Sequence, residues 1–479
     1  MNTAFSLLIP LTAATTHIAA NNVQESKRPN ILFILVDDMG YGDLTCYGSA
    51  GNDTPHIDAL ARQGKRFTHM YAGSAVSTPS RVSILTGRFP IRYDVRHVFR
   101  DKNEYLIPQE TNLARLLNNA GYHTAHVGKW HLGGLRIEDI QRRKEGKRTT
   151  PGPLQQGFDY ASTSIEGLPI RRDLMLGDSL YRKGGKHMII NDEFASPRLA
   201  HLEDLKTSDV MDLMESFSKT DKPFFINLCY DAPHDPYEPA PEKHLKKYEA
   251  MGVTGKQLYF RSMVSHLDEC IGRLEDKLKE LGIYDNTLII FTSDNGPARQ
   301  GSPGVFKGGK SDLHEGGLRV PGFVVWNNVV PKGTVSHDIC HFTDFLPTLC
   351  AIAKANTSNI NSDGENILSM WTAPEEVYTE RTKKMFFQLD KSGTSQLQAP
   401  RPMPHISVAA IDGKWKLTAD IINDKLTLLE LFDLRNDQRE LKNLLGEHPE
   451  VEKELQDFME KVLAEKRWEW DRNLGIYDN

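Results

Sequence analysis

The run Asn30-Ile31-Leu32-Phe33-Ile34-Leu35-Val36 carries six apolar residues in a row. That is the pattern of a strand buried on both faces in a parallel sheet, not the alternation of a half-exposed one. Shorter apolar runs predict further buried strands at Phe67–Tyr71, His123–Val127, Phe224–Leu228 and Thr287–Thr292. Between them the apolar period lengthens to that of a helix. Thr54-Pro55 opens one through Leu60, Leu113, Leu116 and Leu117 share a face that Gly121 closes, and Val210, Met211, Leu213, Met214 and Phe217 mark a third. Val264, Leu267, Ile271, Leu274, Leu278 and Leu281 stripe a long helix over 257–281, whose Met263 belongs to the core. Strands alternating with helices predict an α/β layered sheet.

Two stretches break this rhythm. From Leu135 to Ser208 there is little periodicity and much positive charge (Arg142, Arg143, Lys144, Arg171, Arg172 among others). It reads as long loops with a solvated charged surface, or as a wall touching an anionic substrate. After Asp344-Phe345-Leu346-Pro347-Thr348-Leu349 closes the large domain and a polar connector runs from Lys354 to Arg381, the style changes. Met385–Leu389, Ile406–Ile411, an Asp412-Gly413 turn, Trp415–Ala419 and Leu428–Leu431 predict an antiparallel sheet. A last helix, Pro449 to about Arg467, carries Val451, Leu455, Met459 and Val462 on one face.

Composition narrows the class. A 479-residue chain with 39% hydrophobic and 25% charged residues is a globular protein large enough for one big α/β domain and a smaller one. Its net charge of −6 argues against a general nucleic-acid or acidic-membrane binder, though not against a local basic pocket. Five cysteines without a close Cys-x-x-Cys pair indicate neither a disulfide framework nor a zinc site, and Cys229 and Cys350 read as core. Residues 1–20 are apolar, too short to span a bilayer, and end in small residues. They read as a signal peptide, so export is expected, a disordered tail being the alternative, with no membrane span elsewhere.

The chemistry sits where the strands stop. Asp37-Asp38 follows the first strand; adjacent carboxylates at the carboxyl end of a central strand repel one another and call for a cation, although a solvated Asp-Asp turn is the plainer reading. Ser77-Thr78-Pro79-Ser80-Arg81 follows the second, with Pro79 suited to a helix start. Ser77 then lies at a helix N-terminus, where free N–H groups and the dipole favour an anion; an ordinary N-cap is the alternative. Gly128-Lys129-Trp130-His131 offers a cation and a neutral base on one loop, or a surface Lys beside a structural His; Pro233 stiffens the loop presenting His234 as a proton donor, or as a structural loop His; and Asp294-Asn295 adds hard oxygen ligands. With Asp37 and Asp38 these make an all-oxygen set suited to Ca²⁺ or Mg²⁺, not zinc.

Ser-x-Pro-Ser-Arg-x-x-x-Leu-Thr-Gly-Arg at 77–88 resembles the signature of the type I sulfatases, in which a Cys or Ser at the first position is oxidised to formylglycine. The strings around Asp37, Gly128-Lys129-Trp130-His131-Leu132-Gly133 and Gly309-Lys310 to Glu315-Gly-Gly-x-Arg319-Val-Pro also resemble that family, from about Arg28 to Asn443. The resemblance implies an alkaline-phosphatase-like fold: a large, mixed, mostly parallel sheet between helices (28–355), with a small antiparallel-sheet-plus-helix subdomain (382–479). It implies a sulfuric ester hydrolase of a sulfated mono-, oligo- or polysaccharide, matured at Ser77 by a bacterial radical enzyme. It also implies roles. Asp37, Asp38, Asp294, Asn295 and modified Ser77 bind the metal; Arg81 holds the hydrated formylglycine; Lys129 and Lys310 neutralise the sulfuryl oxygens; His234 protonates the leaving alcohol and His131 removes the proton that releases sulfate. His314 stands where the family often has an aromatic residue and receives no role. A phosphomonoester or phosphonate hydrolase of the same superfamily, or a glycan-binding protein with unmodified Ser77, is the alternative.

Overall fold

The computed structural model describes residues 27–99, 104–108, 111–147, 149–164, 188–194, 200–237, 239–391, 406–422 and 425–465. The expected signal peptide, Arg171 and Arg172 lie outside them. The large sheet contains β1 (Asn30–Val36), β2 (Lys65–Tyr71), β3 (His123–Gly128), β4 (Tyr160–Ser164), β5 (Met188–Ile190), β6 (Glu193–Phe194), β7 (Phe224–Cys229), β8 (Thr287–Ser293), β9 (Arg319–Val325) and β10 (Thr334–His341). Their order across the sheet is β10-β2-β9-β8-β1-β7-β3-β4-β5-β6. β1 pairs parallel with β7 and β8, and β9 runs against both of its neighbours.

The apolar run of β1 is explained by the layers it joins. Ile31, Phe33 and Leu35 enter the cluster that includes Val82 and Leu85 of the Ser77–Thr86 helix, Leu117, and Leu349 of the Phe345–Ala353 helix. Leu32, Ile34 and Val36 enter the opposite cluster, with Ile57, Val210, Leu267 and Leu274. Each such side chain contributes about 1.5–3 kcal/mol on leaving water, so neither face can accept a polar residue cheaply. The helix Gly255–Glu280, foreseen as 257–281, lies on this second face.

β9 was not foreseen, because Pro321 stands within it and proline cannot donate to a ladder. The structure seats it at a register shift: Phe67 pairs with Gly322 and Met70 with Val320, leaving Thr68 and His69 opposite the proline. The Thr68 carbonyl, deprived of an N–H there, accepts from Arg319 Nε at 2.6 Å. The expectation of long loops from Leu135 to Ser208 is also corrected. Its described part contains a helix Ile137–Lys144, strands β4 to β6 that extend the sheet edge, and a helix starting at Leu202. Elements of two to five residues are too short to show a period.

The second sheet, β11 (Met385–Asp390), β12 (Ile406–Asp412), β13 (Trp415–Ile422) and β14 (Lys425–Asp433), is antiparallel throughout. Phe386, Val408 and Ala410 face the helix Pro449–Ala464, whereas Phe387, Ala409 and Ile411 pack on Tyr71, Ala75, Val76 and Leu318 of the large layer. A buried ionic cluster lies at this junction. Lys416 Nζ is 3.1 Å from Glu315 Oε1 and 2.7 Å from Glu440 Oε1, all three residues being almost fully buried. Glu315 also accepts from the Tyr71 hydroxyl at 2.8 Å and faces Arg319 at 3.4 Å. Among the described residues no helix is long and apolar enough to cross a membrane.

Candidate active site

Backbone bonds carry the strand ladder one step past each strand end. Tyr230 N donates to Leu35 O, Asp37 N to Ala232 O, Asp294 N to Val36 O and Lys129 N to Cys229 O, at 2.9 to 3.2 Å. The residues after β1, β3, β7 and β8 are thereby fixed side by side. Gly128 makes the turn out of β3 possible: its φ is +99° and a Cβ there would sit 1.9 Å from the Cys229 carbonyl.

Ser77 is the first residue of the Ser77–Thr86 helix, with Val76 at the cap and no side-chain capping bond. The ordinary N-cap reading therefore fails: the Ser77 hydroxyl turns to the carboxylates, 3.4 Å from Asp37 Oδ1 and 3.3 Å from Asn295 Oδ1. Ser77, Asp37, Asp38, Asp294 and Asn295 are all buried. Asn295 Nδ2 donates to Asp38 Oδ1 at 2.8 Å, and Asp38 N to Asp294 Oδ1 at 3.2 Å.

Three cations converge on these carboxylates. Arg81 NH2 bonds Asp294 Oδ2 at 2.8 Å and NH1 donates to the Lys129 carbonyl at 2.9 Å. Lys129 pairs with Asp37 Oδ2, and Lys310 Nζ lies 2.7 Å from Asp38 Oδ2 and 3.2 Å from His234 Nε2. His234 Nε2 is itself 3.5 Å from Asp38 Oδ2. Burial opposes ionisation of Asp37, but the charges of Lys129, His234, Arg81 and Lys310 outweigh it and hold its carboxyl well below the usual range. The Asp294 carboxyl is pushed up by burial and then by the Asp37 charge. Desolvation, reinforced by Lys129 and Arg81, holds the His131 imidazole far below its ordinary value, so it is a neutral proton acceptor. His131 has a φ of 57°, and its carbonyl accepts from Thr78 Oγ1 at 2.9 Å.

Three carboxylates, an amide oxygen and a hydroxyl packed this closely fit a hard divalent cation. Asp37, Asp38 and His234 also present ligand atoms within 4.8 Å of one another. All the site residues named from the sequence meet here, and His314 does not. Its ring bridges Asp312 at 2.6 Å and Glu430 at 2.8 Å, tying the Lys310 loop to β14.

Sequence reasoning missed the support beneath His234. Lys206 is fully buried, pairs with Asp231 and lies 2.9 Å from Glu203 Oε2. Glu203 Oε1 accepts from the N–H groups of Asp231 and Ala232 at 3.1 and 2.7 Å. Burial works against the Lys206 charge, but Asp231 and Glu203 push its pKa up to about 12. These partners lie 25 and 28 residues apart, beyond any local pattern.

The family model described as Sulfatase matches residues 29–355. The chain is 28% identical to the N-acetylgalactosamine-6-O-sulfatase of Bacteroides thetaiotaomicron, over 94% of this chain and 96% of that one. It is 32% identical to human arylsulfatase A, over 71% and 67%. The crystal structure of Ps i-CgsB in complex with k-i-k-neocarrahexaose superposes with a TM-score of 0.76 at 25% identity, covering 91% of this chain and 93% of that one. The chain belongs to the sulfatase family and is a sulfuric ester hydrolase.

Proposed function

We propose that the protein removes sulfate from a sulfated carbohydrate at a chain end, with Ser77 oxidised to formylglycine and a divalent cation beside it. The observation that carries the reading is the position of Ser77, buried at a helix N-terminus within 3.3–3.4 Å of Asn295 and Asp37, beside carboxylates that Arg81, Lys129 and Lys310 pair with. Asp37, Asp38, Asp294, Asn295 and the oxygen on residue 77 would hold Ca²⁺ or Mg²⁺, which when bound polarises that oxygen and offsets the carboxylates.

Lys129 and Lys310 would trade their carboxylate partners for the sulfuryl oxygens, neutralising charge that grows in the transition state. Arg81, anchored by Asp294 and the Lys129 carbonyl, orients the first helical turn. The formylglycine aldehyde takes up water to give a geminal diol; as one diol oxygen bonds to sulfur, losing its proton to a neighbouring carboxylate, the bond from sulfur to the sugar oxygen breaks. His234, 3.2 Å from Lys310, delivers the proton to that oxygen. His131 then accepts the proton of the second hydroxyl on residue 77, the carbonyl re-forms and sulfate leaves with its oxygen. Unmodified serine has no second hydroxyl for this last step.

The B. thetaiotaomicron relative, named for a sulfated amino sugar and matching almost end to end, supports a glycan substrate. A signal peptide within 1–20 and a periplasmic site of action belong to the same reading, as does a radical maturation enzyme as partner. Mass spectrometry of the Ser77 peptide tests the modification: formylglycine is lighter than serine by two hydrogens. Sulfate release from a panel of sulfated mono- and disaccharides tests the substrate class. Full turnover by protein carrying only serine at 77 would point instead to the phosphomonoesterase alternative.

A further inference from the structure

We infer a second metal site, for a zinc-class ion, where the Leu202–Ser218 and Gly255–Glu280 helices meet. Its ligands are Asp204, His266 and Cys270, whose ligand atoms all lie within 4.8 Å of one another. His266 and Cys270 stand four apart on one helix and so project from one face. His266 Nε2 is 3.2 Å from Asp204 Oδ2, and Cys270 Sγ is 3.9 Å from Asp204 Oδ1. In tetrahedral zinc, bonds of about 2.0–2.3 Å place neighbouring ligand atoms roughly 3.3–3.7 Å apart, within this spread.

His266 is 4% exposed and its Nε2 faces the Asp204 carboxylate directly, so an imidazole and a carboxylate already stand side by side where the two helices meet. The donor set of one imidazole, one thiolate and one carboxylate selects borderline metals over Ca²⁺ or Mg²⁺, which separates it from the oxygen cluster at Ser77. Arg273 competes, with NH1 2.6 Å from Asp204 Oδ1, but its side chain is 38% exposed and can turn to solvent. The fourth position falls to water or to His201, whose ring centroid is 5.3 Å from that of His266.

The site would act as a clamp. Glu203 and Lys206, which hold the His234 loop, flank Asp204 on its helix, so an ion joining the two helices would brace that support. The chemistry is simple ligation: thiolate and neutral imidazole bind the ion, and any displaced protons pass to buffer.

The test is titration of the chelator-treated, full-length protein with Co²⁺ in excess Ca²⁺, which keeps the oxygen site filled. A thiolate-to-cobalt charge-transfer band saturating at one equivalent is expected. It should be lost in Cys270→Ser and weakened in Asp204→Asn. One equivalent of Zn²⁺ should raise the melting temperature of the wild type and not of Cys270→Ser. Absence of the band in the wild type, or its persistence in Cys270→Ser, would overturn the site; neither result bears on the sulfatase reading.

Discussion

Replacing Lys416 by Met tests whether the buried ionic cluster joining the two sheets is held by charge balance. Methionine keeps the length and apolar stem of lysine, so the change deletes the charge with little cavity. In the native protein Glu315 and Glu440 face Lys416 and Arg319, two negative charges against two positive. Without Lys416, Glu440 keeps the Glu315 N–H at 2.7 Å but loses its ion pair. Removing one member of a buried ion pair costs about 3–5 kcal/mol, because the remaining charge stays desolvated. The double variant Lys416→Met/Glu440→Gln restores neutrality and should recover at least half of that loss. The pH dependence supplies a second check. Burial already raises the Glu440 carboxyl above its ordinary 4.5, with Lys416 the first charge opposing it, so deleting Lys416 raises it further. A raised carboxyl costs stability above its unfolded value, and the cost fades as pH falls through the folded value. The penalty should therefore be smaller at pH 5 than at pH 7. Urea unfolding followed by tryptophan fluorescence measures all three proteins at both pH values. A penalty below about 1 kcal/mol, one independent of pH, or a double variant no better than the single would refute the reasoning.

Other outcomes follow from the site. Asp37→Asn, or chelator treatment of the wild type, should lower kcat by about 10²–10³-fold while far-ultraviolet circular dichroism stays native, since one preorganised charge is lost; full activity in chelator would exclude the cation. His234→Ala should cost about 10²–10⁴-fold on a sugar sulfate and much less on an aryl sulfate, whose leaving group needs little protonation. Comparing kcat on the two substrates decides whether His234 is the proton donor. Gly128→Ala forces a Cβ against the Cys229 carbonyl at a φ of +99°, so thermal melting should show a loss of about 3 kcal/mol or more and activity should fall with the displaced Lys129. Lys206→Met leaves Asp231 and Glu203 without their shared cation and should reduce kcat in proportion to disorder of the His234 loop, read by its susceptibility to proteolysis.

What could be read from the chain was what is local. The unbroken apolar run of β1 foretold a strand between two layers, and Asp37, Ser77, Lys129, His234 and Asp294 each announced themselves by following a strand. The β-strand at Arg319–Val325 was hidden because the proline it contains is tolerated only through a bulge in a strand some 250 residues earlier, a compensation carried by the Thr68 carbonyl and Arg319. Lys206 and Lys416 drew no notice in the sequence for the same reason: Asp231, Glu315 and Glu440 are distant along the chain, and no period marks an ion pair formed across the fold. The short edge strands within Leu135–Ser208 were missed because two to five residues cannot express an alternation.

The burial of Ser77 has a consequence for time. Its hydroxyl is enclosed by Asp37, already synthesised, and by Asn295, which lies 218 residues further along the chain. At about 5–20 residues per second, the interval between the appearance of Ser77 and that of Asn295 is on the order of 10–40 s. During that interval the first helical turn cannot be sealed, since β8 does not yet exist to cover it. Any enzyme that must grip the backbone around residue 77 has this window, and the one before final closure, in which to work. Slowing late folding, for example with a destabilised β8, should therefore raise the fraction of chains altered at that position, and accelerating it should lower that fraction.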